Sequence, residues 1–359
     1  MIGSKKHNIF SRPLLKIDDN SSVSVKVIAT HLLKYFYSLK NFPEKYNHLF
    51  FSDIDKPPTH FAYLCPLCLV NGVLLESSIS IGWHSEFSLD HFPPKSVGGF
   101  LETLVCKKCN NDAGGKYESE LKEKMKQMSF NNRIFSSSLV GKAKINGVPG
   151  SYTSQLSIGA DGKHEISLKP NPKAHTPLLD KFIEDSKRNF TSSIEVTMPI
   201  ANEIKVSKSF LKAAYLFCFD YWGYEFVFSK TGEMIRKVLR DEIQYPAFTP
   251  TFWLREAIEI SDTRFTPLGL CYLQKPKDCK CFVVNMLLED NETNYKNLAS
   301  VLIPNPTDTG WDDLKRIQDI FNDKFDKIEV SFAHVIDFSI VENVVDGYAQ
   351  SWKKLIDSD

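Results

Sequence analysis

Apolar positions at helical spacing mark the first element of the chain. Over residues 23–39, VSVKVIATHLLKYFYSL, Val27, Leu32, Leu33, Tyr35, Phe36 and Leu39 recur as in an amphipathic helix. Pro43 and Pro57-Pro58 punctuate its exit. Residues 112–128 are charged instead, with Glu118–Lys122 and Glu120–Lys124 at the i,i+4 spacing of a solvated helix face. Beyond them the pattern alternates. The runs LVGKAKI, VPGSYTSQLSI and HEISLK, parted by Asn146-Gly147 and Asp161-Gly162, predict a three-stranded meander. After KPNPKAHTP at 169–177, helices are expected near 178–188, 207–221, 231–242 and 311–322, and strands near 193–198, 280–287 and 328–337. Such a mixture suggests a further α/β or α+β domain, and it holds neither a Gly-rich phosphate loop nor a Gly-x-Ser-x-Gly elbow.

The expected class is α+β, in four parts: an N-terminal helical region at 1–55, a compact module at 56–130, the β-meander at 131–172 and a C-terminal mixed α/β domain at 173–359. At 359 residues the chain exceeds one ordinary hydrophobic core. Composition adds a constraint on partners. Lys plus Arg and Asp plus Glu both number 44, so a nucleic-acid partner demands that basic and acidic faces be segregated. No run of about eighteen apolar residues spans a membrane. The opening MIGSKKHNIFSRP lacks the apolar stretch of a secretory signal, so a cytoplasmic location is expected. In that compartment the eight cysteines read as metal ligands or core residues rather than disulfides.

Their spacing singles out two pairs, Cys65-Pro66-Leu67-Cys68 and Cys106-Lys107-Lys108-Cys109, 37 residues apart. Each C-x2-C turn puts two thiolates on one side of a knuckle, and two knuckles complete a tetrahedral zinc site. With all four positions filled by sulfur, such a zinc is structural and leaves catalysis to its neighbours. Asn71-Gly72 supplies a turn out of the first knuckle.

Those neighbours are Ser88-Leu89-Asp90-His91-Phe92-Pro93-Pro94-Lys95-Ser96-Val97-Gly98-Gly99, between the pairs, and Asn110-Asn111-Asp112-Ala113-Gly114 directly after the second. Here the sequence resembles the HNH endonuclease superfamily, whose ββα-metal site reads roughly D-H-x-x-P-x-S-x-G-G and then C-x2-C-[HN]. The resemblance covers about residues 60–125. It implies a ββα-metal module in which His91 is the general base, while Asp90 and Asn110 ligate a catalytic Mg²⁺ or Mn²⁺. Asn111 is the second choice of ligand, and Asn110 also suits a helix cap.

The residue types fit that chemistry on physical grounds. Phosphodiester hydrolysis needs a water deprotonated near neutral pH, which suits imidazole. It also needs positive charge at the phosphate, which a hard cation on carboxylate and amide oxygens provides. As strand neighbours, Asp90 and His91 point to opposite sides. One departure stands out: where the family has its middle Asn, this chain has Leu101, and Glu102 or Thr103 is expected to hydrogen-bond the loop backbone instead, Thr103 being the better donor and acceptor.

Other candidates read as structural first: His84 ahead of the site, and Cys279-Lys280-Cys281 as strand packing. Lys95, Lys107, Lys108, Lys116, Lys122, Lys124 and Lys126 suit phosphate tracking or a plain solvated face. Three functions follow for comparison: a DNA endonuclease, such as a restriction or phage-defence effector acting on double-stranded DNA; an RNase on the same site; and a non-catalytic zinc module binding nucleic acid or protein. Residues 173–359 are expected to target or regulate the nuclease by sensing a particular DNA feature, a small ligand or a partner protein.

Overall fold

The computed structural model describes residues 61–75, 87–146, 148–169, 177–188, 193–243, 251–254, 269–272 and 281–304, with short strand pieces at 15–16, 37–38 and 80–81. Strands β1 (Leu15–Lys16), β2 (Tyr37–Ser38), β3 (Phe61–Leu64), β4 (Gly72–Leu75) and β5 (Ser80–Ile81) form one antiparallel sheet in the order β1-β5-β4-β3-β2. The hairpin of β6 (Phe87–Phe92) and β7 (Leu101–Cys106) follows. It runs directly into α1 (Lys107–Ala113), a π turn at Gly114–Glu118 and α2 (Ser119–Asn131).

The expected meander is present as β8 (Ser138–Ile145), β9 (Val148–Ile158) and β10 (His164–Lys169). After α3 (Pro177–Arg188), β11 (Ile194–Thr197) adds a fourth strand beside β8. Three helices come next, α4 (Glu203–Trp222), α5 (Tyr224–Phe228) and α6 (Lys230–Leu239). The last described sheet has the order β12 (Thr251–Leu254), β15 (Tyr295–Pro304), β14 (Cys281–Asp290), β13 (Gly269–Tyr272). All its pairs are antiparallel, and the short turn that joins β14 to β15 leaves no room for a crossover between those two. The fold is therefore α+β, and among the described residues the C-terminal part is α+β as well.

Some expectations fall elsewhere. The helix foreseen at 23–39 lies outside the described residues except for Tyr37–Ser38, which form β2. The elements foreseen at 311–322 and 328–337 also lie outside them.

The centre of the molecule is α4. Every residue from Val206 to Phe219 is buried, so this helix is surrounded on all sides. Its start is capped by the Asn202 side chain, which accepts from Lys205 N–H at 3.1 Å. Its end is turned by Gly223 at φ 62°. Around it one continuous core joins Tyr63, Leu64, Phe87 and Phe92 to Phe210, Phe217, Val284 and Val301. Side chains from 56–130 and from the C-terminal part thus share a single interior, whereas the meander keeps a smaller cluster of Ala143, Ile145, Val148 and Tyr152. Tyrosine hydroxyls pin the seam: Tyr215 donates to Pro66 O at 2.7 Å, and Tyr224 accepts from Leu64 N–H at 2.6 Å.

Candidate functional site

Cys65 and Cys68 sit in the turn between β3 and β4, Cys106 ends β7, and Cys109 lies in α1. The local backbone builds two knuckles. Cys65 N–H donates to Asn71 O at 2.8 Å, closing the first loop where Asn71-Gly72 leaves it for β4. Amides also point at sulfur: Val70 N to Cys68 Sγ at 3.4 Å, Cys106 N to Cys65 Sγ at 3.3 Å and Cys109 N to Cys106 Sγ at 3.4 Å.

All four sulfurs lie within 4.8 Å of one another, so the group could hold a metal ion. The Cys68–Cys106 sulfur separation, 3.9 Å, is far too long for a disulfide. It matches the separation of about 3.8 Å that tetrahedral zinc with its usual sulfur bonds would require. Hydrogen bonds from Cys109 and then Cys65 pull the Cys106 thiol down, whereas burial pushes Cys65 up.

The hairpin between the knuckles carries Asp90 and His91. Register pairs Asp90 with Thr103 and His91 with Glu102. Alternation along β6 turns Asp90 into the interior, 3% exposed, and leaves His91 at the surface side. His91 Nε2 lies 2.8 Å from Glu102 Oε1. Glu102 thus meets the imidazole itself rather than the loop backbone. Thr103 faces the buried side beside Tyr63, away from that loop. The loop is instead tightened by its own 3₁₀ turn at Lys95–Val97 and by its glycines. Gly98 adopts φ 84°, and a Cβ on Gly99 would run into the Pro93 carbonyl. From outside, the Asn291 side chain donates to Lys95 O at 3.3 Å.

Asn110 does not cap α1, since that place is taken by Cys106, whose sulfur accepts from Cys109 N–H. Its amide group reaches back to the hairpin, donating to Leu89 O at 3.0 Å and Ser88 Oγ at 3.1 Å. With the NH₂ end spent on β6, the carbonyl end is the one available as a metal ligand. Asn111 is exposed on the outer face of the helix.

Asp90 is met from the interior by a residue more than a hundred positions further along the chain. Lys212 from α4 places its Nζ 2.5 Å from Asp90 Oδ2 and 2.5 Å from Glu118 Oε1. The contact with Glu118 is an aligned hydrogen bond. The contact with Asp90 is one of charge, because Asp90 Oδ2 is fully buried and has no aligned donor among the described residues. Burial works to lower the Lys212 pKa, but the two carboxylates override it and hold it above the ordinary lysine value. The expected Glu118–Lys122 surface pair is thus replaced by an inward contact, made possible by the π turn that ends at Glu118. Glu120 likewise turns to α4, accepting from Asn202 N–H at 2.9 Å.

The donor types are those a hard divalent cation uses: a carboxylate on Asp90, whose Oδ2 is already met by the Lys212 ammonium, and an amide oxygen on Asn110, tied to the adjacent Leu89 carbonyl.

The lysines foreseen around the site divide. Lys124 pairs with Glu203 at 2.5 Å, Lys126 with Glu292 at 2.7 Å and Lys116 with Asp112 at 3.8 Å, while Lys95, Lys107 and Lys108 are exposed. His84 and Cys279 lie outside the described residues, and Cys281 begins β14. Sequence reasoning missed Lys212 and Glu118 as members of the site. The signal for Lys212 was there, a lone lysine in the apolar run Ser209-Phe210-Leu211-Lys212-Ala213-Ala214. Compared with protein families, curated proteins and solved structures, the chain matches none. No helix among the described residues is long and apolar enough to cross a membrane.

Proposed function

We propose that this chain is a metal-dependent endonuclease of the HNH type, acting on DNA, with a structural zinc on Cys65, Cys68, Cys106 and Cys109. One observation carries the reading. Asp90 and His91 leave the same strand on opposite sides, and Asn110 of the following helix is hydrogen-bonded to that strand at Leu89. The proposed general base and two oxygen ligands therefore stand on one hairpin–helix unit, whose β7–α1 junction the four sulfurs tie to the β3–β4 turn.

The roles follow from the atoms. A carboxylate only accepts, so Glu102 fixes the hydrogen of His91 on Nε2 and leaves Nδ1 with the lone pair that takes a proton from water. Asp90 and Asn110 would hold Mg²⁺ or Mn²⁺, which supplies positive charge to the scissile phosphate and the departing oxygen. Exposed Lys95, Lys107 and Lys108 offer ammonium groups to the flanking phosphates.

The test is incubation of the full chain with supercoiled plasmid and, separately, with structured RNA, in Mg²⁺, Mn²⁺ or EDTA. Plasmid nicking that requires the added cation supports the reading. RNA cleavage alone would move the substrate to RNA. A second reading, a zinc module that binds without cutting, draws on the burial of Asp90 against Lys212. Metal-saturated protein that binds DNA and never cuts it would favour that second reading.

A further inference from the structure

The three charges behind β6 are enclosed: Lys212 is 1% exposed, Asp90 3% and Glu118 9%. The ammonium cannot easily withdraw, because Lys212 belongs to the middle of α4 and Leu211 and Ala213 on either side are buried. Two carboxylates and one ammonium leave a single net negative charge in the enclosure. A divalent cation added there reverses it to one net positive charge, which a low-dielectric site disfavours. A phosphodiester brings one further negative charge, and only then does the group reach neutrality.

We propose that Lys212 is an electrostatic gate on the cation site, weakening divalent-cation binding at Asp90 until a phosphodiester enters with it. The inference rests on the reading of Asp90 as a cation ligand. Its consequence is regulatory: a resting enzyme holds little catalytic metal, and substrate and cation bind cooperatively. The gate acts by charge count. Replacing Lys212 with a neutral residue lets the cation balance Asp90 and Glu118 by itself. Replacing Glu118 with glutamine pushes the other way, leaving the cation to be balanced by Asp90 alone against the ammonium.

Mn²⁺ binding to the full chain, followed by electron paramagnetic resonance, tests this without any need for cleavage. Lys212→Met is expected to bind Mn²⁺ at least about tenfold more tightly than wild type, and Glu118→Gln at least about tenfold more weakly. A phosphorothioate DNA duplex is expected to tighten Mn²⁺ binding to wild type by at least about tenfold, and to do so much less for Lys212→Met. Lys212→Met leaves two buried carboxylates without a counter-charge and risks the fold. Glu118→Gln keeps the Lys212–Asp90 pair and an oxygen for the ammonium, so it carries the test if the first variant does not fold. Unchanged Mn²⁺ affinity in the folded variants, or equal coupling to the duplex in wild type and Lys212→Met, overturns the gate. Asp90→Asn separates the two levels. If it abolishes this Mn²⁺ site while the other variants leave it unmoved, the gate fails and the ligand reading stands. If it changes nothing, both fail.

Discussion

His91 Nε2 and Glu102 Oε1 are 2.8 Å apart, directly opposite each other across the β6–β7 hairpin. Neighbouring strands place such partners face to face without any loop to position them. In the proposed mechanism Glu102 orients the imidazole and sets its tautomer, the task of the third group in other base-orienting arrangements.

Glu102→Ala is expected to lower kcat by about tenfold to a hundredfold with little change in KM, because the base is misdirected while substrate contacts remain. Glu102→Gln keeps an acceptor oxygen and should recover much of that loss. The hydrogen on Nε2 is visible in the imidazole ¹⁵N shifts of His91, which are expected to move in Glu102→Ala and stay in Glu102→Gln. Equal kcat in all three proteins would remove Glu102 from the mechanism.

Cys68→Ser and Cys109→Ser each take one sulfur from the cluster that joins the β3–β4 turn to the start of α1. The expected outcome is loss of bound zinc and destabilisation on the order of 4 kcal/mol, since structural zinc binding is folding free energy. Metal analysis beside a thermal melt checks it. A variant without zinc that melts with the wild type would mean that the sulfurs are only core residues.

A chain ending at residue 172 is expected not to fold. It lacks α4, whose Phe210 and Phe217 share a core with Phe87 and Phe92, and it lacks the Tyr215 and Tyr224 hydroxyls that hold the first knuckle. It also strips Asp90 of its counter-charge. Circular dichroism and limited proteolysis decide. A cooperative melt from the 1–172 fragment would show that the zinc-knuckle segment proposed as the nuclease is self-sufficient and that the C-terminal part only leans on it.

How far the sequence alone reached can be read from these same residues. C-x2-C spacing carries its geometry locally, so the clustering of Cys65, Cys68, Cys106 and Cys109 was legible. Strand alternation likewise separated Asp90 from His91, and the meander followed from its turns. Glu118 was misplaced because i,i+4 charge spacing reads as a solvated face, and a π turn shifts the helix phase without a sequence signature. Lys212 meets Asp90 only through tertiary packing of α4, which no local pattern encodes. Glu102 and Thr103 were both candidates to replace the family's middle Asn, Thr103 being the preferred one, and which of them meets His91 depended on hairpin register.

The most direct measurement of the central claim is metal-dependent plasmid cleavage by His91→Ala, compared with wild type at equal zinc content. His91 lies outside the sulfur cluster, so the variant should keep its zinc and its melting temperature. The expected result is a rate reduced by about a hundredfold to ten-thousandfold at saturating Mg²⁺ or Mn²⁺, the usual contribution of a positioned general base. Cleavage by His91→Ala at the wild-type rate would contradict the account.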